Sequence, residues 1–395
     1  MIPYDYQVTL GKQAADIIRE HMIVYLAMEE RTGKTLTALV CAEQLNVQNV
    51  LVLTKKKAID GWKETLEAFE HTKQYTVTNY HQARKCIANY DLVILDESHN
   101  YISAFPKTGK IWKEVNAVTA NVPLIYISAT PHAQGPQQLY HQFKLSAWSP
   151  WLKHKNFYRW FELFGKPYTR EIAGMKIPQY DRCHNDLILG CVQHLFITKT
   201  REELGFEHEP EDKIHIVELS KETRYVYNEL VQHDLVNLSC GLLVADTCSR
   251  LRTSLHQIEG GTIKLDDVRY NLANTEKVDY ILEHFGDSSE LVIMYNYTAE
   301  ATKLAKHFKK ATILQATSYA EGVDLHKFKD LVVYSQDFST ARHTQRRARQ
   351  CNKKRDTPIT VHFLLVPGAI SAQVYKTVSQ NKRNFVDSVF KRTKL

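Results

Sequence analysis

Residues 29–35 read Glu29-Glu-Arg-Thr-Gly-Lys-Thr35, and further along the chain Val93-Ile-Leu-Asp-Glu-Ser-His99 follows. The first stretch comes after a short apolar run, Ile23-Val-Tyr-Leu-Ala27, which suits a buried strand. Residues 36–42 have the composition of a helix. The sequence therefore predicts a strand-to-helix turn with Gly33-Lys34-Thr35 at its end.

A Gly-Lys-Thr turn of this kind has the parts that bind a nucleoside triphosphate. Backbone N–H groups at a helix start hold phosphate oxygens, a lysine neutralises the β and γ phosphates, and a hydroxyl joins the shell of Mg²⁺. Thr32 and Gly33 are predicted to supply backbone contacts, Lys34 the cation and Thr35 the metal-binding hydroxyl. The strict pattern is incomplete, because Met28 occupies its first glycine position.

The second stretch supplies two carboxylates. Asp91-Leu-Val-Ile-Leu95 is predicted to be a central parallel strand that delivers Asp96 and Glu97 to its carboxyl end, where such sheets bind ligands. Asp96 can then hold magnesium, while Glu97 orients or deprotonates the attacking water. An acidic loop after a core strand is the alternative, and the upstream Gly-Lys-Thr turn favours the catalytic interpretation.

These motifs resemble those of superfamily 2 helicases and translocases. Asp96-Glu-Ser-His99 and Ile127-Ser-Ala-Thr-Pro131 resemble the second and third motifs. The resemblance implies that Ser128, Ala129 and Thr130 couple hydrolysis to movement. Three further segments resemble the Swi/Snf-type branch: Tyr4-Asp-Tyr-Gln7, Val50-Leu-Val-Leu-Thr54 with Gly61-Trp62, and Tyr80-His81. The resemblance of the first segment implies that Gln7 reads the adenine base.

The second half of the chain carries the complementary motifs. Thr317-Ser-Tyr-Ala-Glu-Gly-Val-Asp-Leu325 resembles motif V, which implies that Gly322 and Asp324 contact the nucleotide. Gln345-Arg-Arg-Ala-Arg349 resembles motif VI, and this resemblance implies a coupling role for Gln345. It also implies that arginines reach the γ-phosphate, with Arg349 the best match and Arg346 the second. Asn352 stands where the family has a further arginine. The alternative for this basic segment is a solvated or nucleic-acid-facing helix.

The resemblance also implies contacts to a nucleic-acid strand. They are expected to come from loop amides and hydroxyls that face phosphates and carry little sequence information. A solvated loop is the alternative for the lysines at residues 55–57. The residues implied are Thr54, Lys55, Asn79, Tyr80, Asn296 and Ser318.

The fold class predicted is α/β, with two RecA-like parallel-sheet lobes in tandem, helical insertions and an ATP cleft between the lobes. The first lobe is predicted at 1–210, with an aromatic-rich helical extension at 146–210. The second lobe is predicted at 211–395, with a helical insertion at 220–258. For the aromatic extension a helical core is favoured over a nucleic-acid stacking platform.

Composition agrees with a globular nucleic-acid-binding protein. The 395 residues are 44% hydrophobic and 24% charged, and the net charge of +7 suits a basic groove for a polyanion. The sequence has no signal peptide and no apolar stretch of membrane-spanning length, which predicts a cytoplasmic location, in the host cytoplasm if the protein is viral. Seven cysteines without a C-x-x-C pair suit a reducing compartment. Zinc at Cys183, His184, Cys191 and His194 is disfavoured, since adjacent ligands do not share one tetrahedral ion easily.

The function predicted is a DNA helicase or translocase that couples hydrolysis of ATP with Mg²⁺ to movement on duplex, forked or single-stranded DNA. It is expected to act as a monomer in replication, recombination or repair, with replication or recombination proteins as candidate partners. Its brevity resembles that of phage and viral helicases. An RNA-directed motor of the same superfamily and a nucleotide-dependent switch or clamp stay as alternatives.

Overall fold

The computed structural model describes residues 1–86, 89–132, 135–172, 175–316, 325, 328–353 and 357–380. The chain forms two compact units, one built from Met1–Gly205 and a second that begins at Phe206. The boundary predicted from the sequence, between 210 and 211, lies five residues later.

The first unit has the strand–helix alternation predicted from its apolar runs. Four of its strands have no exposed residue along the predicted runs, as expected for parallel strands covered on both faces. The strands are β1 Ile23–Leu26, β2 Asn49–Thr54, β3 Gln74–Asn79, β4 Leu92–Asp96, β5 Leu124–Ile127, β6 Tyr168–Ile172, β7 Met175–Gln179 and β8 Phe196–Ile197. The helices are α1 Asp5–His21, α2 Lys34–Glu43, α3 Ile59–Ala68, α4 His99–Ile102, α5 Lys110–Thr119, α6 Gln138–Phe143, α7 Phe157–Phe164 and α8 Asn185–Val192.

Six of these strands form one parallel sheet in the order β3-β2-β4-β5-β1-β8. Its register aligns the ends of three neighbouring strands, because Ile127 of β5 lies opposite both Leu26 of β1 and Asp96 of β4. The loops that follow β1, β5 and β4 therefore leave the sheet at one edge. That edge carries the predicted phosphate loop, the Ser-Ala-Thr segment and the two carboxylates.

The aromatic extension belongs to the core of the first unit. Trp151, Phe157, Trp160 and Phe161 are buried in the same apolar cluster as the strands of the sheet, so the core interpretation is confirmed. The extension is not wholly helical, since β6 and β7 pair as an antiparallel hairpin that the sequence analysis did not predict. These two strands are short and mostly exposed, and they lack a continuous apolar pattern.

The second unit is built on five parallel strands in the order β15-β14-β16-β17-β9. Its strands are β9 Pro210–Ile216, β10 Leu235–Leu238, β11 Gly241–Val244, β12 Thr262–Leu265, β13 Val268–Asn271, β14 Leu291–Tyr295, β15 Thr312–Gln315, β16 Asp330–Val333 and β17 Ile359–Leu365. Its helices are α9 Lys221–His233, α10 Cys248–Glu259, α11 Glu276–His284, α12 Thr298–His307, α13 Thr340–Arg347 and α14 Ile370–Gln380.

The insertion predicted as helical at 220–258 is helical only at its two ends. Between α9 and α10 the chain forms the antiparallel hairpin β10–β11. Asp234 has a left-handed φ of 56° and ends α9, and Gly241 at the turn of the hairpin has a φ of 133° that favours glycine. In the described part of the chain, no helix is both long and apolar enough to cross a membrane.

Candidate functional site

The loop between β1 and α2 has the backbone of a phosphate-binding turn. Gly33 caps α2 with a left-handed φ of 73°, and Arg31 also has a positive φ, 66°. Arg31 is not a glycine, so a positive φ is unfavourable at this position. The loop adopts it nevertheless, although a non-glycine residue costs roughly 1–2 kcal/mol there, and such strain is typical of functional loops.

Lys34 is folded back onto this loop. Its Nζ donates hydrogen bonds to the carbonyl oxygens of Met28 at 2.9 Å and Glu29 at 2.6 Å. Burial lowers the pKa of Lys34, and the carboxylates of Glu30, Glu97 and Asp96 oppose that shift. The ammonium group therefore lies within the electrostatic range of both predicted catalytic acids.

Gln7 contacts the phosphate loop from α1. Its Nε2 donates to the carbonyl of Gly33 at 3.3 Å, and its Oε1 accepts from the N–H of Tyr4 at 2.8 Å. The hydroxyl of Tyr6 donates to the carbonyl of Thr32 at 3.0 Å. A Cβ atom on Gly33 would lie 1.9 Å from Gln7 Nε2, so this approach requires glycine. The structure thus gives Gln7 a contact with the loop backbone.

Asp96 is oriented by two side chains from neighbouring elements. Its Oδ2 accepts hydrogen bonds from Thr54 Oγ1 at 2.7 Å and from Trp62 Nε1 at 3.0 Å. Burial, followed by the charge of Glu97, raises the pKa of Asp96 to about 6, while the two hydrogen bonds lower it. A carboxylate here and the hydroxyl of Thr35 in the first turn of α2 are oxygen donors of the kind that Mg²⁺ prefers, so the residues fit that ion.

Two residues predicted to contact nucleic acid are instead part of the surroundings of Asp96. The side chains of Thr54 and Tyr80 are fully buried. Thr54 bonds the carboxylate as described, and the hydroxyl of Tyr80 donates to the backbone carbonyl of Asp96 at 2.8 Å. Because neither side chain reaches the surface, a contact of Thr54 or Tyr80 with a strand would have to come from the backbone.

A histidine joins the acids to the Ser-Ala-Thr segment. Glu97 has a left-handed φ of 50°, and its Oε2 lies 3.4 Å from His99 Nδ1. The same Nδ1 lies 2.8 Å from Ser128 Oγ, and His99 Nε2 lies 3.4 Å from Thr130 Oγ1. Ser128 and Ala129 are buried, and the N–H of Thr130 donates to Ser128 Oγ. The predicted coupling segment is thus one side chain away from Glu97.

The other residues predicted to contact nucleic acid occupy varied positions. Lys55 is partly exposed, beside the exposed Lys56 and Lys57. Asn79 Oδ1 accepts from the N–H of His81 at 3.1 Å and caps the 3₁₀ turn Tyr80–Lys85. The N–H of Asn296 donates to Ser335 Oγ at 2.7 Å. Ser318 lies outside the described residues.

In motif VI, Arg346 and Gln345 are buried within the second unit. Arg346 Nη1 donates to the carbonyl of Ser335 at 3.3 Å. The backbone of Arg349 lies in the 3₁₀ turn Ala348–Gln350, and its side chain is outside the described part. Gly322 and Asp324 of motif V also lie outside the described residues.

One residue that the sequence analysis missed contacts the phosphate loop from the end of the first unit. The backbone N–H of Arg201 donates to Glu29 Oε2 at 2.7 Å, and its Nη1 donates to the carbonyl of Glu30 at 3.2 Å. Its guanidinium lies 3.7 Å from the Glu29 carboxylate and 3.8 Å from the Glu30 carboxylate. No local pattern marks Arg201, because its partners are distant in sequence.

Comparison with known proteins decides the fold. No protein-family model matches the chain, and no curated protein matches it. The solved structure of the Pyrococcus furiosus Hef helicase domain is similar over 96% of this chain and 98% of that one, with a TM-score of 0.51 and 13% identity. The chain shares the fold of this helicase domain. The predicted fold class of two RecA-like parallel-sheet lobes is thereby confirmed.

A second similar structure is the Sulfolobus solfataricus SWI2/SNF2 ATPase core in complex with dsDNA. It matches 96% of this chain and 91% of that one, at 13% identity and a TM-score of 0.43.

Proposed function

We propose that this chain is a Mg²⁺-dependent ATPase that uses hydrolysis to move on DNA. One observation carries the proposal: three loops leave one sheet edge in register, and they bear the Gly33-Lys34-Thr35 turn, the Asp96-Glu97 pair and the Ser128–Thr130 segment. Contacts of His99 with Glu97, Ser128 and Thr130 join the acids to the segment that is expected to drive movement.

The roles in hydrolysis follow from the chemistry of the side chains. Lys34 and the backbone N–H groups at the start of α2 bind the phosphates. Thr35 and Asp96 would hold Mg²⁺, which would neutralise charge on the phosphates. Glu97 orients the attacking water and accepts its proton, and its positive φ ends the strand that carries Asp96.

The Ser128–Thr130 segment and the second parallel sheet support a motor over a simple nucleotide switch. A switch needs the phosphate loop and the acids, but it has no use for a hydroxyl-bearing segment tied to His99 or for motif VI in a second unit. Hydrolysis at Glu97 would alter its turn, and His99 would pass the change to Ser128 and Thr130.

DNA is the proposed track. The net charge of +7 and the accessible lysines at residues 55–57 favour a polyanion. The Gly61-Trp62 and Tyr80-His81 segments resemble the Swi/Snf-type branch, which favours DNA over RNA. Lys55, Asn79, Asn296 and Ser318 stay the proposed strand contacts, and the compact chain suits a helicase of replication, recombination or repair.

The steady-state ATPase rate tests the proposal. It is measured without nucleic acid and then with single-stranded DNA, duplex, forked DNA or RNA at matched low salt. Strong stimulation by one DNA form supports the motor and identifies its track, whereas stimulation by RNA alone would transfer the activity to RNA. No stimulation by any nucleic acid would refute the motor. Lys34→Ala serves as the inactive control.

A further inference from the structure

Gln142 of α6 is buried directly behind the proposed ATPase residues. Its side-chain Oε1 accepts hydrogen bonds from Ser98 Oγ and from the hydroxyl of Tyr25, each at 2.9 Å. Its Nε2 donates to the carbonyl of Pro131 at 2.7 Å and to that of Gln138 at 3.1 Å. These four hydrogen bonds fill both acceptor positions and both donor positions of the amide, and the side chain has no exposed surface.

The partners of this amide belong to three functional segments. Ser98 directly follows the Asp96-Glu97 pair, and Pro131 directly follows Ser128–Thr130. Tyr25 lies in β1, the strand that leads into the phosphate loop. Tyr126 of β5 adds a bond from its hydroxyl to the backbone carbonyl of Gln142 at 2.6 Å. A single side chain therefore ties the acid turn to the coupling segment, through contacts separate from those of His99.

The bonds require an amide. The contact with Ser98 and Tyr25 needs an acceptor, and the contact with Pro131 needs a donor. A carboxylate at this position would face the Pro131 carbonyl with an oxygen, and an apolar side chain would leave buried hydroxyls and a carbonyl unpaired. The sequence gives no sign of this role, since Gln142 lies outside every motif and precedes the aromatic extension.

We propose that Gln142 is a positioning residue that keeps the turn after Glu97 in register with the Ser128–Pro131 segment. Its role in turnover rests on the proposed ATPase function. His99 and Gln142 each link these two segments through different partners, so a shift of the acid turn moves the coupling segment with it. Without the amide, nucleotide still binds, but the acid turn and the coupling segment move independently.

The test compares Gln142→Leu with Gln138→Leu. Gln138 lies one turn earlier on the same helix and is also buried, and its Nε2 donates to Ser103 Oγ, outside the functional segments. In Gln142→Leu we expect nucleic-acid-stimulated kcat to fall about 10-fold or more. KM for ATP should stay within about 3-fold, because a group that acts through the transition state changes kcat. Gln138→Leu should remain close to the unsubstituted protein in both constants.

A second readout does not depend on activity. Amide hydrogen exchange without nucleotide should be faster at residues 97–102 and 128–130 in Gln142→Leu, and unchanged there in Gln138→Leu. Equal exchange in the two variants, or unchanged kcat in Gln142→Leu, would overturn the role of Gln142. If Gln142→Leu does not fold, Ser98→Ala removes one of its bonds and should give the same exchange pattern in weaker form.

The two proposals fail in different ways. If no nucleic acid stimulates the ATPase rate, the motor is refuted. The comparison of hydrogen exchange still decides whether Gln142 holds the two segments together. Stimulated ATPase with identical exchange in the two leucine variants refutes the positioning role alone.

Discussion

Thr54 Oγ1 donates a 2.7 Å hydrogen bond to Asp96 Oδ2, across the neighbouring strands β2 and β4. Trp62 Nε1 reaches the same oxygen at 3.0 Å. Both bonds favour the carboxylate, whereas burial and the charge of Glu97 favour the protonated acid and raise the pKa of Asp96 to about 6. The hydrogen bonds of Thr54 and Trp62 therefore help to set the ionisation of Asp96, the proposed magnesium ligand. The motif resemblance gives neither residue this role.

Thr54→Val should shift the acidic limb of the ATPase pH profile upward. Asp96 is protonated below its pKa of about 6, and the neutral acid binds Mg²⁺ poorly. Loss of a hydrogen bond to the charged form raises the pKa further, by about one pH unit. The measurement is kcat/KM against pH from 5 to 8, together with the Mg²⁺ concentration for half-maximal rate, which should rise several-fold near pH 6.

Thr54→Ser is the matched control, because it keeps the hydroxyl and should restore the original profile. An identical pH profile for the valine and serine variants would mean that Thr54 does not tune Asp96. A uniform loss of nucleic-acid stimulation without a pH shift would return Thr54 to the strand-contact role.

Arg201→Lys should weaken the phosphate loop. The guanidinium of Arg201 lies against Glu29 and Glu30 together, and lysine lacks the fork that serves two acidic residues. Arg201 is 6% exposed, and breaking a buried pair of this kind costs about 3–5 kcal/mol, of which lysine recovers a part. We expect a lower thermal midpoint and a raised KM for ATP, measured by calorimetry and steady-state kinetics.

Arg159→Lys provides the comparison for Arg201. Arg159 pairs with Glu162 at 3.0 Å on the exposed face of α7, where ion pairs contribute about 0–1 kcal/mol. This variant should match the unsubstituted protein in KM and thermal midpoint. If Arg201→Lys matched it too, the contacts of Arg201 would have no part in loop stability.

Glu97→Gln should retain nucleotide binding and lose turnover. The amide keeps the shape of the side chain but cannot accept the proton of the attacking water, a loss of about 10²–10⁴-fold in kcat. Binding of a fluorescent ATP analogue and single-turnover hydrolysis separate the two effects. Lys34→Ala should instead weaken binding itself. Normal hydrolysis by either variant would remove these residues from the site.

The sequence predicted the parts of the site that are local in the chain. Apolar runs such as residues 92–95 indicate buried parallel strands, and polar residues directly after them indicate the functional edge of the sheet. The Gly33-Lys34-Thr35 turn and the Asp96-Glu97 pair follow from that logic. Their alignment follows from the parallel register of β1, β5 and β4.

Contacts between distant residues could not be predicted in this way. Arg201 and Gln142 act through partners far away in sequence, and their own surroundings carry no pattern. The predicted strand contacts of Thr54 and Tyr80 rest on the family resemblance, which does not show whether a side chain is buried. The burial of these two side chains depends on packing.

The arginines of motif VI should behave differently from each other. Arg346 is 2% exposed, burial lowers its pKa to about 10, and its guanidinium donates to the carbonyl of Ser335 near Asp337 and Glu300. Arg346→Ala should therefore lower the thermal midpoint, because it leaves a buried carbonyl and carboxylates without their cation.

Arg349→Ala should leave the thermal midpoint and nucleotide binding unchanged and reduce kcat about 10³-fold, the loss typical of an arginine that stabilises the transferred phosphate. Scanning calorimetry, binding of an ATP analogue and single-turnover hydrolysis of the two variants make the comparison. The reverse result, a stable but inactive Arg346→Ala and a fully active Arg349→Ala, would identify Arg346 as the residue that contacts the γ-phosphate. Such an outcome would require its guanidinium to leave the carbonyl of Ser335 during the cycle.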